Sequence, residues 1–130
     1  VNPPMHQRVK NLLIGAGLTS GYSVQSLIWT DTGDLKQRFI VFRPNGGTPV
    51  DRDIGSDHYV LVDLITGKSA GDYAKSESDV QAIIDYVQQN PISDPCVGQI
   101  TNMGGIPSPI PTAEGRMVWR LQFACSYGES

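Results

Sequence analysis

Apolar and polar residues alternate most regularly near the end of the chain. Met117, Trp119, Leu121, Phe123, Cys125 and Tyr127 occupy odd positions, and Arg120, Gln122 and Ser126 fall between them. A period of two held from 117 to 127 predicts a half-buried antiparallel strand whose apolar side meets a helical layer. Near the start, Met5, Val9, Leu12, Leu13 and Ala16 recur at helical spacing, which predicts a first helix with those side chains along one face. Asn2 is placed to cap that helix, with Pro3 or Pro4 in the opening turn, where the missing N–H of proline costs nothing. Gly15-Ala16-Gly17 predicts its stop. The glycines from Gly15 to Gly21 are read as that stop and not as a dinucleotide-binding loop, which would follow a strand.

Between these ends the pattern is mostly that of strands. Val24–Asp31 and Arg38–Arg43 are rich in β-branched and aromatic residues and are separated by Thr32-Gly33-Asp34, which predicts a hairpin or neighbouring antiparallel strands. The second of them is apolar on both faces, so it belongs in mid-sheet, with cover on one side and a partner or helix on the other. His58–Ile65 predicts a third strand, with Val60, Val62 and Leu64 on one face and Tyr59, Leu61, Asp63 and Ile65 on the other, broken by Thr66-Gly67-Lys68. Ser76 with Asp79 resembles a capping box and predicts the start of a second helix. Val80, Ile83, Ile84 and Val87 form its buried face, and Asn90-Pro91 ends it. A short strand near Cys96–Ile100 is expected to pair with the last one. The order αβββαββ implies an α+β fold over residues 1–130 as a single domain: one antiparallel or mixed sheet, two helices on one face, and two long ordered loops.

Composition narrows the function classes. A chain of 130 residues can bury roughly two-thirds of its unfolded surface in one core, without metal or disulfide staples. The formal net charge is −3 and the ten Lys and Arg are scattered, which supplies no basic excess for a phosphate backbone, so direct nucleic-acid binding is not expected. No apolar run approaches the roughly 20 residues that span a bilayer, and the opening residues lack signal-peptide character, so the expected setting is the cytoplasm, away from membranes. Cys96 and Cys125 are too few for a disulfide framework or a zinc site and are expected as buried free thiols.

Candidate chemistry is sparse. Asp51, Asp53, Asp57 and His58 form the densest polar cluster and offer oxygen and imidazole ligands for a divalent metal, but their spacing is not that of a calcium loop. The plainer reading is turn capping and surface ion pairing. His6 and His58 lie in no catalytic motif, and Ser108 has no glycine elbow, so neither enzymatic activity nor a cofactor is expected. Residues 43–47 read as a turn and not a phosphate cradle, since no helix follows them. Two irregular segments, about Arg43–Asp57 and about Asn102–Arg116, reach the length at which structureless loops usually have a function. In the second, Pro107, Pro109 and Pro111 alternate with Ser108 and Ile110 after Ile106, which favours an extended, stiff arm with little ordering entropy left to lose on docking. Ile106 and Ile110 on such an arm call for a neighbouring subunit as cover. An arm folded over its own sheet is the alternative.

Residues 38–47, 58–63 and 104–111, with Glu114-Gly115-Arg116 leading to Trp119 and then Tyr127-Gly128-Glu129, resemble tail terminator proteins of long-tailed phages and prophages, the lambda minor tail protein U-like tail completion family. The resemblance implies a small subunit that forms a hexameric ring, docks on the last ring of the tail tube, stops its polymerisation and presents a surface for head attachment. Its implied partners are further copies of itself, the tail tube protein and the head–tail connector protein, in the bacterial host cytoplasm during assembly and then in the virion tail. The candidate contact residues are Arg43, Asn45, Asp51, Arg52 and Asp53 in the first loop and Ile106, Pro107, Ile110, Glu114 and Arg116 in the second. The apolar ones would anchor an interface and the charged ones set register. Two other readings stand beside this one: another head–tail connector or tail-completion ring protein, and a metal-dependent hydrolase or nuclease using Asp51, Asp53, Asp57 and His58.

Overall fold

A computed structural model describes residues 4–29, 37–47, 56–68, 70–90, 98–103, 105, 107–112 and 115–127. Along the chain run α1 (Met5–Gly15), β1 (Ser23–Ser26), β2 (Phe39–Gly47), β3 (Ser56–Ile65), α2 (Ala70–Gln89), β4 (Gln99–Met103), β5 (Ile110–Pro111) and β6 (Met117–Tyr127). The strands form one sheet in the order β1-β2-β3-β6-β4, and the two-residue β5 also pairs with β6. Val118 of β6 faces Ile65 of β3 and Ile110 of β5, so β5 shares an edge of β6 with β4. The fold is α+β, with a mostly antiparallel open sheet.

The alternation in β6 does what its period requires. Trp119, Leu121, Phe123 and Cys125 are buried together with Ile40 and Phe42 of β2 and Val60, Val62 and Leu64 of β3. Val9 and Leu13 of α1 and Val80, Ile83, Ile84 and Val87 of α2 join the same cluster, which puts both helices on one face of the sheet. Full burial of each such side chain contributes about 1.5–3 kcal/mol, so this layer carries most of the stability.

Local chemistry fixes the helix ends. After α1, Gly17 adopts φ 75°, and the N–H groups of Gly17 and Leu18 donate to Ile14 O and Leu13 O, each at 3.0 Å. This closing pattern satisfies carbonyls the helix leaves open, and Leu18 packs back on the core. The predicted stop is therefore met, although Ala16 is exposed and not on the buried face. Asn2 lies outside the described residues.

Three expectations are corrected. β1 is short and runs parallel to β2, with Ser23 opposite Phe39 and Ser26 opposite Phe42, and so is not a hairpin partner. α2 begins at Ala70, six residues before the expected cap. Ser76 is buried inside it, where its hydroxyl donates to Tyr73 O at 2.8 Å and accepts from Trp119 Nε1 at 2.9 Å. A serine that satisfies a buried indole across the core has a reason to sit in mid-helix. Finally, residues 43–47 are strand and not turn: β2 continues to Gly47, opposite His58, with a bulge between Pro44 and Gly47.

Asp72, in the first turn of α2, pairs with Arg38 at 2.9 Å. Asp79 accepts from Tyr22 Oη at 2.7 Å and Lys75 Nζ at 2.8 Å. Burial first, and then the bond to Asp79, push the Tyr22 phenol well above its ordinary range. These contacts tie α2 to the segment that leads into β1 and β2.

Candidate functional site

Among the described residues the second face of the sheet has no helix over it, since both helices pack on the first. Its residues come from the alternate positions of the same strands: Phe39, Val41 and Arg43 on β2, Tyr59, Leu61, Asp63 and Ile65 on β3, and Val118, Arg120, Gln122 and Ala124 on β6.

One half of this face is closed by the chain itself. Phe39, Val41 and Ile65 form a second buried cluster against Trp29 and Val118, and the Trp29 and Phe39 rings meet edge-on at 5.7 Å. Arg116 seals it. Its guanidinium carbon lies 5.3 Å from the Phe39 ring centre and 5.9 Å from that of Trp29. Nη1 donates to Gln37 O at 2.7 Å and to Thr66 O at 3.1 Å. A turn held by Thr112 and Gly115 delivers it there: Thr112 N–H donates to Arg116 O at 2.8 Å, Arg116 N–H donates to Thr112 Oγ1 at 3.1 Å, and Gly115 adopts φ 91°. The Tyr73 hydroxyl donates to the Gly115 carbonyl from α2.

The other half is open and charged. Asp63 stands opposite Arg120 in the β3–β6 register and opposite Val41 in the β2–β3 register, so Arg43 is its diagonal neighbour. Arg120 grips the carboxylate with two donors, Nε to Oδ1 at 3.0 Å and Nη2 to Oδ2 at 3.2 Å, and Arg43 Nη1 lies 3.3 Å from Oδ2. The hydrogen bond to Asp63, followed by its charge, raises the Arg120 pKa. One buried carboxylate between two guanidiniums leaves a single surplus positive charge on a surface that also holds Tyr59, Leu61 and Ala124. Beside it, Met103, Gly105 and Pro107 form a shallow groove with Arg120 and Gln122.

These positions sort the sequence candidates. Arg43 is half-buried and engaged with Asp63, Asn45 is exposed at the β2 bulge, Pro107 lines the groove, and Ile110 is 54% exposed on β5. Arg116 has no accessible surface and donates through Nη1 to the Gln37 and Thr66 carbonyls, so it supports the fold. Asp51, Arg52, Asp53, Ile106 and Glu114 lie outside the described residues, as does Cys96. The proline-rich arm is partly its own sheet's, because Ile110 and Pro111 pair with Val118 and Met117, yet Ile110 keeps its side chain in water. Sequence reasoning missed the Arg43–Asp63–Arg120 triad. Its signal was an acid inside an otherwise apolar strand face and an arginine on the polar side of the last strand.

Cys125 is a buried free thiol with its pKa pushed up to about 12 by burial. Among the described residues no three His, Cys, Asp or Glu side chains come together as a metal site, and no helix is long and apolar enough to cross a membrane. None of the curated proteins compared with the chain is similar enough to count as a match. The sequence profile of the family described as phage tail termination protein matches residues 2–129.

Proposed function

Because the chain belongs to the phage tail termination protein family and so has a structural role in tail assembly, we propose that it caps the tail tube as a ring of six copies. The ring stops tube polymerisation and presents its far side to the head–tail connector protein. The work is done in the host cytoplasm and the ring stays in the virion tail.

The observation that carries a contact-based role, and not a catalytic one, is the half-open second face of the sheet. There a paired but not fully neutralised triad is flanked by half-buried Tyr59 and Leu61. Such a surface recognises polypeptide: the apolar groups supply area and the arginines set register. A ring requires two different patches on each copy, since a head-to-tail contact closes when the rotation per copy divides a full turn. The proposed contacts with neighbours and tube are Arg43, Asn45, Asp51, Arg52, Asp53, Ile106, Pro107, Ile110 and Glu114, with Arg120 and Tyr59 added from the open face.

Electron microscopy of tails from a strain that lacks this chain tests the reading. Overlong or uncapped tails are the expected result. Tails of normal length that fail to join heads would assign the chain to the connector instead.

A further inference from the structure

The two edges of the sheet differ in a way that says how one copy meets the next. Among the described residues β1 pairs only with β2, and β4 and β5 pair only with β6, so each edge has an unpaired side. Exposed large apolar side chains gather at both. At the first edge are Val24, Leu27 and Ile28, the last two 54% and 74% exposed. At the other are Met103 and Ile110, 37% and 54% exposed. Soluble monomers protect open edges with charge or prolines; Pro111 blunts part of the second edge, but the exposed apolar groups at both edges still favour cover by another chain.

The first edge is also built at a cost. Leu27 has φ 71°, and Ile28 N–H donates to Ser26 O at 2.8 Å, closing a three-residue turn of the rare, strained form. Leu27 N–H is meanwhile held by Phe42 O at 2.9 Å. The strain goes with two apolar side chains presented to solvent, neither of them part of a core cluster among the described residues.

Charge distinguishes the occupants. α1 carries Arg8 and Lys10 and no acid, and Lys10 Nζ reaches Ser26 Oγ of β1 at 3.4 Å. α2 carries Asp72, Glu77, Asp79 and Asp85 against Lys75 alone; its first half reaches Arg38 and Tyr22, ahead of β2 and β1, and its last turn flanks β4, where Val87 and Gln88 line a groove with residues 99–102. Asp72 and Asp79 are paired with Arg38 and Lys75, while Glu77 and Asp85 are exposed. A two-fold contact of first edge with first edge brings two basic flanks together. A head-to-tail contact sets the basic flank of one copy against the acidic flank of the next.

We propose that the β1 edge of one copy, through Val24, Leu27 and Ile28, seats on the β4–β5 edge of a second copy, through Met103 and Ile110. The contact is heterologous and rests on the ring reading above, for which it supplies the two patches.

Two variants at well-exposed positions, Ile28→Asp and Ile110→Asp, test it by sedimentation over a concentration series up to the solubility limit, with thermal unfolding to confirm that each folds. The wild-type chain is expected to assemble, and each variant alone to lose self-association at least about tenfold. Mixed together, they are expected to form a one-to-one dimer and nothing larger, because the intact first edge of Ile110→Asp meets the intact second edge of Ile28→Asp. A wild-type chain that stays monomeric, either variant assembling like wild type, or a mixture that stays monomeric overturns the proposal. The tail-length phenotype is scored separately, so a capping chain with another contact surface is told apart from a chain that does not cap.

Discussion

Asp63 is the most informative residue to neutralise, because the carboxylate is almost without solvent exposure while its two partners are not. Asp63→Asn keeps the shape but removes the charge and turns an NH2 group toward a guanidinium. Two charge-assisted bonds from Arg120, at 3.0 and 3.2 Å, are weakened, and the ion pair with Arg43 at 3.3 Å is lost. A bond to a charged group contributes about 1.5–3 kcal/mol when both sides are buried. The Arg120 side chain is 45% exposed and that of Arg43 27%, so both can turn into water and part of the penalty is recovered. The net cost is about 2–3 kcal/mol, which for a chain of this length lowers Tm by roughly 6–12 °C. Replacing all three partners with apolar residues, Arg43→Met, Asp63→Leu and Arg120→Met together, removes the stranded charges and is expected to return within about 1 kcal/mol of wild type. Denaturant unfolding measures both. A cost under about 0.5 kcal/mol for Asp63→Asn would refute the argument that this carboxylate holds the open face together.

Other outcomes follow from single positions. Gly115→Ala must adopt φ 91° and brings a Cβ to 3.1 Å from the Lys68 side chain; the side chain can yield but the backbone cannot, so thermal unfolding should show a loss of about 1–2 kcal/mol. Cys125, with a pKa near 12, is ionised to only about one part in ten thousand at pH 8, so peptide mapping after alkylation should find it unmodified in the native chain and modified after denaturation. His6 has its pKa lowered below 6.5 by burial and then by Lys10, so the unfolded chain takes up its proton first as pH falls. The stability it contributes is whole above about pH 6.5 and declines on acidification until its folded pKa is passed. His6→Gln should flatten that part of a Tm-against-pH profile, and an unchanged slope would contradict the assignment.

Elements whose signal is a side-chain period were legible from the chain alone. The strand Met117–Tyr127, the two faces of β3 and the apolar stripe of α2 all follow from which residues must be buried together. Pairing direction carries no such signal. Ser23–Ser26 shows the same short-strand composition whether it runs with or against β2, and the parallel arrangement emerges only in the folded register. Ser76 misled because a serine three residues before an acid has the form of a cap; its true partner, the Trp119 indole, lies 43 positions away. Arg116 misled for a related reason: an arginine after a glycine in a proline-rich stretch has the composition of a surface loop, and only the fold brings Phe39, Trp29 and the carbonyls of Gln37 and Thr66 around it. The open face was half legible. Asp63 and Arg120 were each assigned to the right side of a strand, but their meeting depends on the β3–β6 register.

The central claim, that this chain caps a growing tube, is tested most directly by adding the purified chain to polymerising tail tube protein and measuring tube lengths by electron microscopy. Shortened tubes with extra density at one end only, and no further growth from that end, are the expected result. Tubes that lengthen unchanged, with no density at either end, would contradict the claim.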